Sequence, residues 1–266
     1  MNRHEPLIAA KDLTFAYRRG GADVLRGISL EIESGTITAV LGPNGSGKTT
    51  LLNLLLGWLQ PQKGRIELGG RPHHSYSRRA LSRTVGLVPQ DEHATFDLTV
   101  SEYVLLGRAP YLDFLEMPKS VDRELALQAL KTTGLEALWE RSVSSLSSGE
   151  RQLATLARAL AQEPQILLLD EPMSHLDISN TRRILRILEA MKERGQTIVF
   201  TTHDPNIVAS IADSAILLKE GRLLASGPAS AVLDADNLSA TYGVPVEVIR
   251  INGRLIVLAP ARDEGA

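Results

Sequence analysis

The 266-residue sequence predicts an α/β protein, a core of largely parallel strands carrying a helical insertion. Three features predict it. A β-branched, apolar run, Thr36 to Leu41, leads through the glycine-rich octet Gly42 to Thr49 (GPNGSGKT) into the leucine-rich stretch Thr50 to Leu56. A second apolar run, Ile166 to Leu169, shows no polar alternation and ends on Asp170 and Glu171, as a strand covered on both faces does. Between the two, from about Asp91 to Gln162, strand-like runs give way to apolar residues at helical spacing.

The remaining elements follow in order. Residues 7–15 and 28–33 alternate apolar and polar positions, as half-buried strands do, with a turn containing Tyr17 and Arg19 between them. Gly64 to Gly70 and Thr84 to Val88 read as strands, the second stopped by Pro89 and followed by Gln90. Val100 to Leu106 reads as a helix, and so does Asp122 to Lys131, with Leu125, Leu127 and Leu130 as its apolar positions. Leu146-Ser147-Ser148-Gly149-Glu150 has the look of a helix cap, and Leu153, Leu156, Ala157 and Leu160 follow at helical period. Ser179 to Arg194 is amphipathic, with Ile184, Leu185, Ile187, Leu188 and Met191 inward and Arg182, Arg183, Arg186 and Lys192 on a solvated face. Thr197 to Thr202 is a buried-type strand ending at His203. Residues 215–219 and 222–225 form one hairpin, and 246–251 and 254–258 a second, closed by Asn252-Gly253 in a type I′ turn. The tail from Pro260 is polar.

Composition narrows the classes. Hydrophobic residues make up 43% of the chain, enough for a sizeable core. Lys and Arg number 29 against 31 acidic residues, so no basic excess points to nucleic acid. The absence of cysteine excludes disulfides, thiolate metal sites and a thiol nucleophile together. No apolar run reaches the ~20 residues that span a bilayer, and MNRHEPLIAAKDLTF lacks a secretory h-region, so the cytoplasm is the expected location.

The octet fits G-x-x-x-x-G-K-[ST] at every fixed position, in the strand–turn–helix setting that motif requires. Gly42, Gly45 and Gly47 let the backbone close on an anion, and the N–H groups of the loop converge with the positive end of the next helix. Lys48 supplies a point charge for the β- and γ-phosphates, and the Thr49 hydroxyl a ligand for Mg²⁺. The motif therefore predicts a nucleoside triphosphate. Asp170 and Glu171, two adjacent carboxylates after a buried strand, either end it in a solvated acidic turn or have partners in a site, Mg²⁺ for the first and an attacking water for the second. Three residues stay open on this reading. Tyr17 either packs in the core or stacks on a base, Gln90 is either a loop residue or a site residue, and His203 is either structural or a γ-phosphate contact.

Taken together, residues 7–233 resemble the ATP-binding cassette of ABC transporters. The resemblance implies a P-loop NTPase (RecA-like) core with an antiparallel β-subdomain and an inserted α-helical subdomain. On that reading residues 1–90 and 163–235 form the core, 91–162 the helical subdomain with the signature motif, and 236–266 a C-terminal hairpin extension and tail. Tyr17 looks like the adenine-stacking aromatic. Gly42, Pro43, Asn44, Gly45, Ser46, Gly47, Lys48, Thr49 and Thr50 match the ATP-binding loop, and Gln90 the glutamine loop that touches Mg²⁺ and the attacking water. Ser147, Ser148, Gly149 and Glu150 match the signature that completes the site of a second copy. Asp170 and Glu171 match the metal-binding and catalytic acids, Asp177 the D-loop, and His203 the switch histidine. The implied cofactors are ATP and Mg²⁺. The implied partners are a second copy in a head-to-tail dimer, transmembrane permease subunits that hold the protein at the inner face of the membrane, and indirectly a substrate-binding protein. Leu105 to Tyr111 and Tyr242-Gly243-Val244-Pro245 are most similar to importers of iron–siderophore, haem or cobalamin chelates. Exporter cassettes, molybdate-type importers and non-transport ATPases built on the same module are the alternatives. The sequence departs from the family at Ser148, where glycine is commonest, at Glu150, where glutamine is, and at Met173, where threonine is frequent. A Cβ at 148 restricts φ, which puts the backbone of the signature in question.

Overall fold

The computed structural model describes residues 6–18, 20–90 and 97–258. Arg19 of the expected turn, the start of the helical insertion (91–96) and the polar tail lie outside the described residues. In chain order the strands are β1 (Ile8–Phe15), β2 (Leu25–Ile32), β3 (Ile37–Leu41), β4 (Lys63–Leu68), β5 (Arg71–Pro72), β6 (Val85–Val88), β7 (Ile166–Leu169), β8 (Thr197–Thr202), β9 (Ser214–Lys219), β10 (Arg222–Pro228), β11 (Glu247–Ile251) and β12 (Arg254–Leu258). The helices are α1 (Lys48–Leu56), α2 (Arg78–Thr84), α3 (Val100–Leu105), α4 (Ser120–Thr133), α5 (Ser148–Ala161), α6 (Ile178–Glu193), α7 (Pro205–Ile211), α8 (Ala229–Val232) and α9 (Ala235–Tyr242). The chain forms two compact units, residues 1–73 with 199–266, and residues 74–198, so the division passes through β8.

In the first unit, β2, β1, β4 and β5 make an antiparallel sheet in that order. β2 alternates buried and exposed positions as expected, whereas β1 buries Ile8, Ala9 and Ala10 in succession. A break in the ladder follows. Register shifts interrupt both pairings of β1 after Ala10 and Lys11, where Asp12 takes a left-handed φ of 52° and its N–H bonds the Ser29 hydroxyl at 2.9 Å. β3 and β9 run parallel, from Thr38 opposite Ser214 to Leu41 opposite Leu217, with β10 antiparallel on the far side of β9 and β8 beside β3. All five residues of β3 are buried, which matches its unbroken apolar character. α7 packs on β3 and β12, and α8 on β9. In the β11–β12 turn Asn252 and Gly253 have φ of 51° and 78°, the positive pair that a type I′ turn requires.

In the second unit, β6 and β7 are parallel, Val85 opposite Ile166 through Val88 opposite Leu169. α2 was not foreseen from the sequence. None of its residues is buried, so it has no apolar stripe to read, and its start is marked by the Ser77 hydroxyl, which accepts from the Ala80 N–H at 3.1 Å. α3, α4 and α5 pack on one another. α4 buries Leu130 as expected, together with Ala126 and Ala129, but leaves Leu125 half-buried and Leu127 exposed. α6 buries Ile184, Ile187, Leu188 and Met191 as expected, but Arg183 is not wholly a solvated residue, because its guanidinium donates to the Gly134 carbonyl at 2.8 Å.

A buried charge joins these helices. Gly107 sits where a Cβ would lie 2.1 Å from the Arg158 carbonyl oxygen, so the turn after α3 presses directly on α5. Next to it Arg108, buried, donates to Asp122 at 3.0 Å, to the Ala161 carbonyl at 2.8 Å and to Glu163 at 3.0 Å, and stacks over the Tyr111 ring at 3.9 Å. The Lys119 backbone N–H, with help from Arg108, holds the buried Asp122 carboxyl below the ordinary aspartate range despite its burial. Arg108→Ala leaves that carboxylate buried without its counter-charge and should lower unfolding free energy by about 3–5 kcal/mol in urea titration. Because the folded pKa of Asp122 is depressed, its contribution is full above the unfolded value near ~3.9 and disappears as pH falls through the folded one. The wild type should therefore lose more stability than Arg108→Ala on acidification below about pH 4.

Candidate functional site

The phosphate loop sits in the first unit, at the C-terminal end of β3. Gly42 has no room for a side chain: a Cβ would lie 2.2 Å from the Leu218 carbonyl oxygen of β9 and 2.7 Å from Ser46 Oγ. At the other end of the loop Gly47 caps α1 at φ 103°, and a Cβ there would meet Leu25 at 2.6 Å. Two cross-braces set the loop's curvature. Lys48 Nζ donates to the Gly42 and Pro43 carbonyls at 2.8 and 3.3 Å, and the Gly221 N–H donates to the Ser46 carbonyl at 3.1 Å. The second brace comes from the Glu220-Gly221 turn of the β9–β10 hairpin, a supporting role that sequence reading did not assign. Asn44, Gly45 and Thr49 are exposed at the loop, Ser46 and Thr50 are buried, and Ser46 Oγ is buried with no hydrogen-bond partner. A buried hydroxyl, a lysine ammonium and the start of a helix make a concave donor set suited to a polyphosphate.

Tyr17 belongs to the same unit and is not a core residue. Its ring is 64% exposed, standing edge-on to Phe15 with centroids 5.1 Å apart, and its hydroxyl is 3.0 Å from Thr50 Oγ1. His203, exposed, follows β8 directly. Asp204 beyond it caps α7 by accepting from the Asn206 N–H at 2.8 Å.

The second unit holds the acidic residues and the signature. The Asp170 N–H continues the β6–β7 ladder by donating to the Val88 carbonyl at 2.8 Å, which holds Asp170 at the strand end, and Gln90 is exposed two residues past β6. Asp170 and Glu171 are both buried, at 7% and 8% exposure, so this is not a solvated acidic turn. Glu171 also has φ 44°, a left-handed conformation that costs a side-chain-bearing residue about 1 kcal/mol or more. Such strain is retained where the surroundings dictate it, and the Ser174 N–H closes the turn onto the Glu171 carbonyl at 3.0 Å.

Asp177 and the signature meet through a residue absent from the sequence reading. Asp177 caps α6, accepting from the Asn180 N–H at 2.7 Å and from Asn180 Nδ2 at 3.2 Å. Asn180 so held lies where a Cβ on Gly149 would be, 2.4 Å from its Nδ2, so glycine at 149 lets the tips of α5 and α6 touch. Ser147 and Glu150 form a reciprocal capping box. The Ser147 hydroxyl accepts from the Glu150 N–H at 3.2 Å, and Glu150 accepts from the Ser147 N–H at 2.9 Å. The Ser147 N–H and then its hydroxyl keep the Glu150 carboxyl below the ordinary glutamate range. Ser148 is the exposed first residue of α5 and is not among the left-handed residues, so the backbone question raised by its Cβ does not arise.

The ABC transporter family profile matches residues 25–174. The chain belongs to the ABC transporter family. It is similar to the probable iron chelatin transport ATP-binding protein of Helicobacter pylori, at 34% identity over 95% of this chain and 99% of that one. It is also similar to the hemin import ATP-binding protein HmuV of Bordetella bronchiseptica, at 37% identity over 95% of this chain and 99% of that one. Among solved structures, the cassette of a metal-chelate type ABC transporter in an inward-facing conformation aligns with a TM-score of 0.82 at 34% identity, covering 95% of this chain and 96% of the other. The α/β architecture is that of the ABC ATPase cassette, and the ABC protein is an ATP-hydrolysing subunit that powers transport. Among the described residues no helix is long and apolar enough to cross a membrane.

The capping box makes a stability prediction. Ser147→Ala removes one half of it and should cost about 1 kcal/mol of unfolding free energy in denaturant, whereas Ser148→Gly, at an exposed helical position that needs no left-handed φ, should gain nothing.

Proposed function

We propose that this ABC protein is the ATPase of an importer of metal chelates of the iron–siderophore, haem or cobalamin type. The supporting observation is its near end-to-end likeness to proteins named for iron chelatin transport and hemin import. In this reading it works at the cytoplasmic face of the membrane, held there by permease subunits and served indirectly by a substrate-binding protein. Residues 1–90 and 163–235 are the ATPase core, 91–162 the helical subdomain, and 236–266 an extension.

Tyr17 stacks on adenine, and Gly42 to Thr50 grip the phosphates, with Lys48 exchanging the loop carbonyls it now holds for phosphate oxygens. Mg²⁺ suits the donors. Thr49, Gln90 and Asp170 offer a hydroxyl, an amide and a carboxylate oxygen, hard ligands of the kind Mg²⁺ takes beside a substrate's phosphates. When bound, Mg²⁺ neutralises charge on the β- and γ-phosphates.

Two copies face each other head to tail, so that Ser147, Ser148, Gly149 and Glu150 of one complete the nucleotide site of the other, with Asp177 beside them. The tip of α5 offers its N–H groups to the γ-phosphate. Glu171 takes a proton from the attacking water, the water oxygen bonds to the γ-phosphorus, and ADP departs. His203 stabilises the transferring phosphoryl group. Loss of the γ-phosphate bridge frees the dimer to open, a rigid-body motion passed to the permease.

Glu171→Gln should bind ATP with wild-type affinity and slow hydrolysis by about 10²–10⁴-fold, accumulating an ATP-bound dimer on size-exclusion chromatography; normal turnover would remove Glu171 from its role. Importer function is tested by reconstitution with permease subunits recovered with the protein in a pull-down. ATPase activity should rise when a chelate-loaded binding protein is added outside the vesicles, and stimulation without any binding protein would favour an exporter.

A further inference from the structure

The C-terminal segment, which the reaction above does not use, ends at the back of His203. The Tyr242 hydroxyl donates to the His203 carbonyl at 2.8 Å, across 39 positions of sequence. We propose that Tyr242 is a positioning residue for His203, and that the segment from α9 to β12 is a clamp on the loop that carries this histidine. The proposal rests on the reading of His203 as a residue that touches the γ-phosphate.

Tyr242 stands on a fixed platform. It is the last residue of α9, a helix capped at both ends: Asp234 accepts from the Asn237 N–H and from Asn237 Nδ2, each at 2.7 Å, and Gly243 closes the C-terminus at φ 74° with its N–H on the Ser239 carbonyl. Thr241 is fully buried, and Lys219 at the end of β9 donates to the Ala240 carbonyl, so the helix is tied to the sheet two residues before the tyrosine. The chain beyond is tied as well, because the Val246 N–H donates to Ser239 Oγ at 3.0 Å.

A second tie grips the same loop three residues on. The Asn206 side chain makes a reciprocal pair with the backbone of β12: Nδ2 donates to the Val257 carbonyl at 3.1 Å, and Oδ1 accepts from the Val257 N–H at 2.9 Å. An amide that satisfies both groups of one residue acts as an extra strand position and leaves little rotational freedom. Residues 203–206 are thus held at both ends by a segment distant in sequence. A carbonyl bond does not alter the imidazole's chemistry, but it fixes the peptide plane from which the side chain projects. Catalytic groups held by a supporting contact avoid reorganisation in the transition state.

Tyr242→Phe removes one oxygen and keeps the ring. In the full-length protein with Mg-ATP, kcat should fall about ten-fold while KM and ATP affinity stay within about two-fold, the signature of a displaced group rather than a lost binding contact. In a His203→Ala background the same change should have no further effect, since the group being positioned is gone. Asn206→Ala, breaking the second tie, should likewise lower kcat without raising KM. An unchanged kcat in Tyr242→Phe overturns the proposal. So does an equal loss in both backgrounds, or a fall in melting temperature that tracks the fall in rate, since each marks a merely structural bond. If His203→Ala alone turns over at the wild-type rate, the reading of His203 fails and the clamp has nothing to position; that result is distinct from one in which His203→Ala is slow and Tyr242→Phe is not.

Discussion

The constraint on which the nucleotide loop depends is the contact of its backbone with the strand beside it. At Gly42 the chain passes so close to the Leu218 carbonyl that no side chain fits. Beneath Ser46, the Gly221 N–H holds the loop from the β9–β10 turn. A phosphate cradle is a set of backbone dipoles, and dipoles stabilise an anion only if they are already oriented before it arrives. Here the orientation is supplied by a parallel strand pair, β3, buried throughout, and β9, buried at its four central residues, and by the hairpin turn that follows it. Lys48, bridging two loop carbonyls, holds the curvature from within.

The second unit uses a different device for its own helix tip. The N-terminus of α5 is organised by the Ser147–Glu150 capping box, and it is set against α6 by the fit of Gly149 to Asn180, which Asp177 in turn holds. Gly149 and Asp177, which a motif description treats separately, are therefore parts of one packed object joined by Asn180. A shift of Asp177 moves Asn180, and a shift of Asn180 is felt at Gly149. Behind this tip, the Arg108–Asp122 pair binds the helices through a buried charge whose carboxylate is satisfied by both backbone and guanidinium. Removing one partner of such a pair destabilises far more than forming the pair stabilises, because the other charge is left buried alone.

The strained Glu171 illustrates how the two kinds of order combine. It lies two residues past a strand buried along its whole length, and it is itself buried yet turned into a left-handed conformation. The strand spends its hydrophobic burial on placing one carboxyl group, and the chain reverses directly after it. Met173 and Pro172, next in line, are buried too, so the turn is packed rather than solvated.

Much of this was legible in the residues alone, where the physics is local. The strand–loop–helix around Lys48, the apolar run into Asp170, the cap at Ser147 and the Asn252-Gly253 turn each depend on contacts within a few positions, and backbone propensity together with hydrophobic period expresses them directly. α2 escaped because it buries nothing and has no period to detect. On α4 only Leu130 of the three leucines is buried, because Ala126 and Ala129 share the packed side with it and the helical period cannot rank alanine above leucine. What the tertiary structure alone decided are the long-range supports: Gly221 under Ser46, Asn180 against Gly149, Tyr242 on the His203 carbonyl and Asn206 on Val257. These are one or two hydrogen bonds or a single close contact between segments far apart in sequence. They have no period and no composition, and they exist only once the strands and helices have brought the partner groups within about 3 Å of each other.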